Sequence, residues 1–76
     1  MREAFLDNRG LEPPNPMIRT LEKLESLEDG DVLRIHNDRV PVYLLPQLHD
    51  MGAGYEVAEQ PDGSAIVTIT KGASGA

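Results

Sequence analysis

The sequence predicts an α/β two-layer sandwich of order β-α-β-α-β-β, a four-stranded mixed sheet with two helices on one face. Three observations carry this. Apolar residues recur at helical spacing in two segments, they alternate or cluster at strand spacing in four others, and a Pro-Asp-Gly tip joins the last two strands. Leu, Ile, Val and Phe make up 19 of the 76 residues, enough for a charged chain to collapse, since the threshold is roughly 20%. There is no cysteine to staple so small a domain, so stability must come from one thin core.

Ala4-Phe5-Leu6-Asp7 reads as a short buried strand, ended by the turn chemistry of Asn8, Arg9 and Gly10. In Leu11-Glu12-Pro13-Pro14-Asn15-Pro16 the prolines fix φ and push their predecessors out of the α region, giving a stiff extended loop. Asn15 and Pro16 fit the N-cap and first position of a helix. Met17, Ile18, Leu21, Leu24 and Leu27 then form one apolar stripe, ended at Glu28-Asp29-Gly30.

Val32 to His36 alternates, with Leu33 and Ile35 on one face and Arg34 and His36 on the other. Asn37-Asp38-Arg39 turns the chain. Pro41 opens a second helix carrying Leu44, Leu45, Leu48 and Met51 and ended by Gly52. A proline inside a helix costs about 3 kcal/mol, so the regular helix is expected to begin near Leu45 with Pro46 in its first turn. Tyr55–Glu59 and Ala65–Thr70 are strands, and Gln60-Pro61-Asp62-Gly63-Ser64 is their hairpin. Residues 1–71 form a single domain, and residues 72–76, only Gly, Ala and Ser, a flexible tail.

Composition narrows function. A formal charge of −6 without a basic stripe speaks against nucleic acid. No apolar run is long enough to span a membrane, and no basic segment precedes an apolar one, so a soluble, cytoplasmic protein is expected. Gly52-Ala53-Gly54 ends a helix instead of opening one and cannot cradle phosphate. No Ser-His-Asp grouping is visible, and hydrolase chemistry has no support.

A right-handed crossover sets strands one and two parallel, so their carboxyl ends share an edge with the first helix's amino end. That edge collects the candidate ligand- or partner-binding residues Asp7, Arg9, Pro13, Asn15, His36, Asp38 and Arg39. Helix amino ends favour anions, and two arginines and a histidine reverse the local sign of an acidic chain. The alternatives are that Arg9 pairs with Asp7 or Asp38 and that Arg39 is simply solvated. His36 and His49, with Asp38 and Asp50, are the candidates for a surface metal site, although two histidines thirteen residues apart match no common spacing. The acidic residues around the first helix suit a solvated face or a basic partner. Val42-Tyr43-Leu44-Leu45 is either core under the second helix or an exposed patch for dimerisation or docking.

Leu6-Asp7-Asn8-Arg9-Gly10-Leu11-Glu12-Pro13-Pro14-Asn15-Pro16 resembles the signature of the TusA/SirA-like sulfur-carrier superfamily, Leu-Asp-x-Arg-Gly-Leu-x-Cys-Pro-x-Pro, over roughly residues 5–71. The resemblance implies the same β-α-β-α-β-β fold. Its persulfide-carrying cysteine aligns with Pro13, and a proline ring is no nucleophile, so sulfur transfer through a thiolate is excluded here. The chain is thus similar to an uncharacterised, cysteine-free, bacterial branch of that superfamily, for which the resemblance implies hemerythrin-like or redox proteins as partners. The function expected is a non-enzymatic module docking a partner protein or a small anion, with no cofactor. The alternative is a small metal-binding or redox-associated domain using histidines.

Overall fold

The computed structural model describes residues 2–72, so most of the expected tail, residues 73–76, lies outside the described residues. Six elements follow in the expected order: β1 (Glu3–Asp7), α1 (Asn15–Glu25), β2 (Val32–Asn37), α2 (Leu44–Asp50), β3 (Gly54–Glu59) and β4 (Ala65–Thr70). They build a mixed sheet of spatial order β1-β2-β4-β3. β1 and β2 run parallel, with Leu6 beside Ile35 and Asp7 beside His36. β4 is antiparallel to both its neighbours.

Strand alternation sorts the two faces of the sheet. Leu33, Ile35, Val67 and Ile69 are fully buried and form one core with Leu24 and Leu27 from the first helical segment and Leu44 and Leu48 from α2. One shared core requires both helices to lie on one side of the sheet. Each such leucine or isoleucine contributes about 1.5–3 kcal/mol by leaving water. On the open face Phe5, Arg34, Thr68 and Glu56 stand side by side across four strands. The cover is incomplete at the outer strand, where Tyr55 and Val57, aligned with Ile69 and Val67, stay partly exposed. Glu56 and Glu59 put charge along that edge, which discourages pairing with another chain.

Several local expectations are corrected. β1 is not a buried strand. It alternates, and Phe5 lies on the open face, 57% exposed. The N-cap of α1 is Pro14, because its carbonyl is the first to accept a helical bond, from Ile18 N–H at 3.1 Å. Asn15 and Pro16 therefore sit one position further in than expected, and no side chain caps this end. The helix also stops early, at Glu25. Ser26 donates both its hydroxyl (2.6 Å) and its N–H (3.0 Å) to the Lys23 carbonyl, and Leu27 N–H reaches back only to Leu24. Gly30, at φ +92°, serves the turn into β2 instead. Ile18 and Met51, assigned to the apolar stripes, are exposed.

Pro41 does not begin α2; its carbonyl accepts from Leu44 and Leu45 N–H in the turn before it. Pro46 falls in the first turn of α2, as expected, where a missing N–H costs nothing.

Two ties close the end of the fold away from the shared strand edge. Asp31, 5% exposed, accepts Arg2 N–H at 2.7 Å and Glu28 N–H at 2.9 Å, and these bonds hold its carboxyl below the ordinary value. Lys71 Nζ donates to the Leu27 carbonyl at 2.6 Å, a cation where helix carbonyls run out of partners.

Candidate functional site

The parallel pair β1 and β2 delivers two turns to one edge, and backbone bonds lock them together. Asn8 N–H donates to the His36 carbonyl at 2.8 Å, extending the ladder by one step. Gly10, at φ +82°, turns its N–H onto Asp38 Oδ2 at 2.8 Å. The Leu11 to Pro16 loop is thereby held against the Asn37 to Tyr43 turn.

Between them lies an open cleft of about 380 Å³, within the size range of small ligand pockets. Leu11, Pro13 and Met17 line it from the loop side, Pro41, Val42 and Tyr43 from the turn side. Val42 is 60% exposed and Tyr43 83%, so this stretch forms a surface patch, while the adjacent Leu44 joins the core.

Asn8 also lines the cleft and is fully buried. Its Nδ2 donates to Thr20 Oγ1 (3.2 Å) and Asn37 Oδ1 (3.0 Å), while the Thr20 hydroxyl donates in turn to the Pro16 carbonyl at 2.8 Å. Asn8 Oδ1 has no partner. A buried acceptor left unpaired costs about 1–3 kcal/mol. Sequence reasoning passed over Asn8 because it fills the free position of the Leu-Asp-x-Arg-Gly-Leu motif and is an ordinary turn residue.

The residues expected at the site are divided by the structure. Pro13, Asp38 and Arg39 line the cleft. Asn15 is exposed on the first turn of α1, outside the lining. Arg9 is bound to Asp7 through a two-pronged ion pair, Nε to Oδ1 at 2.9 Å and Nη2 to Oδ2 at 2.8 Å. That side-chain bond, with the Arg9 N–H, holds the Asp7 carboxyl far below the usual carboxylate range. Arg9 thus follows its structural reading, and its charge is largely cancelled.

His36 meets a partner the sequence did not suggest. Its Nε2 lies 2.8 Å from Ser64 Oγ, and the Ser64 hydroxyl donates to Asp62 Oδ1 at 2.6 Å. The single hydroxyl proton is committed to Asp62, so Nε2–H of His36 donates to Ser64. A histidine, a serine and an aspartate do therefore come together, contrary to expectation. Their order is wrong for nucleophilic catalysis: no base faces the hydroxyl from the histidine side, and Ser64 is buried. The Asp-x-Ser turn is visible in sequence, but its arrival at His36, 28 residues away, depends on β4 pairing with β2.

Ser64 bonds also hold the Asp62 carboxyl below its ordinary value. In a Ser64→Ala variant, Asp62 is expected to titrate closer to 3.8, followed by its carboxyl carbon resonance, with a stability loss of about 1 kcal/mol. An unchanged Asp62 titration would remove the hydroxyl as the cause.

His49 is exposed on α2, and among the described residues no three His, Asp or Glu side chains converge as a metal site would need. Nor, among them, is any helix long and apolar enough to cross a membrane.

The family model described as "Uncharacterized conserved protein (DUF2249)" matches residues 5–71. Among solved structures, a SirA-like protein from Desulfitobacterium hafniense is similar at 30% identity, over 93% of this chain and 97% of that one, with a TM-score of 0.80. No curated protein matches the chain.

Proposed function

The chain belongs to the uncharacterized conserved protein family DUF2249, and from that premise we propose that it is a non-enzymatic SirA-like module that docks a partner protein at the cleft between the proline loop and the Asn37 to Tyr43 turn. The carrying observation is the apolar cleft itself, with Val42 and Tyr43 standing out of its rim. It opens beside Pro13, the position at which the superfamily's signature has its cysteine. With no nucleophile there, recognition is the role left to this edge.

A partner protein suits the geometry better than a small anion. Arg9 is spent on Asp7, and three prolines around the start of α1 have no N–H to offer. Among the described residues, Arg39 is the one cation in the cleft lining, and it stands exposed beside walls that are otherwise mostly apolar, where desolvating an anion is unfavourable. A histidine-based metal reading has no grouping of side chains behind it among the described residues.

A photo-cross-linking residue placed at Tyr43 tests this, with a second placed at Lys23 on α1 as the control. The expected result is a discrete covalent adduct in cells from the Tyr43 position only. Identical adducts from both positions, or none from Tyr43, would overturn the proposal.

A further inference from the structure

Both helices pack on one side of the sheet, so its other face carries no cover. Across the middle of that face the register sets Arg34, Thr68 and Glu56 in one row, from β2 over β4 to β3. Arg34 and Glu56 are both exposed. Arg34 Nε reaches Thr68 Oγ1 at 3.4 Å, and neither charged residue joins an ion pair among the described residues. On one side of this row lie Val32, Thr70 and Gly54, and on the other His36, Ile66 and Ala58.

This pattern is complementary to itself. A two-fold interface lays a patch on its own copy, so that residue i meets j and j meets i. Neighbouring strands lie about 4.8 Å apart, which sets Arg34 and Glu56 at equal distances on either side of Thr68. An axis along β4 through Thr68 therefore brings Arg34 of each copy over Glu56 of the other. The same rotation sets Val32 over Gly54 and His36 over Ala58, a larger side chain against a smaller one in both rows. Beside Gly54 there is a shallow hollow, lined also by Tyr55, Glu56, Thr68 and Thr70, in which Val32 finds its place. Along the axis Thr70, Thr68 and Ile66 meet their own counterparts, and none of them is charged. An unrelated partner would have no reason to match all three rows under one rotation.

We infer that the uncovered face is a homodimer interface whose two-fold axis runs along β4, with reciprocal Arg34–Glu56 ion pairs. Sheets packed face to face keep their strand directions within about 30°, as this axis allows. β1 then overhangs the partner's outer strand, and the exposed Phe5 shields the rim of the ion pair. Because the axis follows the strands, the two clefts open at the same end of the dimer, where a partner with two docking segments would engage both. Each chain carries a formal charge of −6, so the contact forms against net repulsion and a moderate affinity is expected.

Sedimentation of the whole chain over a concentration series up to about 1 mM tests this. The wild type is expected to pass from monomer to dimer. Arg34→Glu places two like-charged contacts in every dimer, as does Glu56→Arg, and each is expected to weaken self-association at least ~10-fold. An equimolar mixture of the two variants is expected to dimerise, since one chain then presents only acid on this row and the other only base. Such rescue cannot come from a misfolded chain. A monomeric wild type, a dimer indifferent to either reversal, or a mixture that stays monomeric would each overturn the inference.

Discussion

Asn8→Asp is expected to be the most damaging single-atom exchange in the domain. The Nδ2 donors to Thr20 Oγ1 and Asn37 Oδ1 become an oxygen facing two oxygens, in a residue with no solvent exposure. An uncompensated buried charge costs on the order of 3–5 kcal/mol, comparable with the whole stability of a small domain. Burial raises the new carboxyl above its unfolded value of about 3.9, so the penalty is smallest below that value and grows as the pH rises through the folded pKa. Urea unfolding of variant and wild type between about pH 4 and 7 reads the difference. A difference independent of pH over that range would show that the new carboxyl is not sealed from water.

The second large effect separates two neighbours. Leu44→Ala removes a side chain that is 1% exposed and belongs to the core cluster, and about 2–5 kcal/mol of stability is expected to go with it. Tyr43→Ser changes a side chain standing almost wholly in solvent, so stability is expected to hold within about 0.5 kcal/mol while binding at the cleft is lost. Thermal unfolding reads the stabilities, and photo-cross-linking from the exposed Val42 position with and without Tyr43→Ser reads docking. If Tyr43→Ser destabilised as much as Leu44→Ala, the residue would belong to the core and the docking patch would vanish.

These contrasts show which parts of the molecule were legible in the linear chain. Alternation in Val32–Asn37 and Ala65–Thr70, together with the Pro-Asp-Gly tip, located β2, β4 and their faces, because period-two burial is a local property. The end of α1 was not legible, since the Ser26 hydroxyl competes with the backbone ladder one turn before the glycine that looked like the stop. Phe5 was misassigned because its hydrophobicity does not reveal that β1 has an open side. At the site, topology gathered Pro13, Asp38 and Arg39 at one edge of the sheet, and all three line the cleft. Asn8 was missed because its partners Thr20 and Asn37 lie 12 and 29 residues away, and Ser64 because its contact with His36 needs a third strand to bring it there.

Half of the six residues from Leu11 to Pro16 are prolines, and this stiff span forms one lip of the cleft. Few backbone torsions are left for an arriving chain to freeze, so the free and complexed shapes of the lip should coincide and the entropic toll of association falls on the partner. Association would then proceed at the pace of diffusion and orientation, with differences among partners expressed in how long each stays bound.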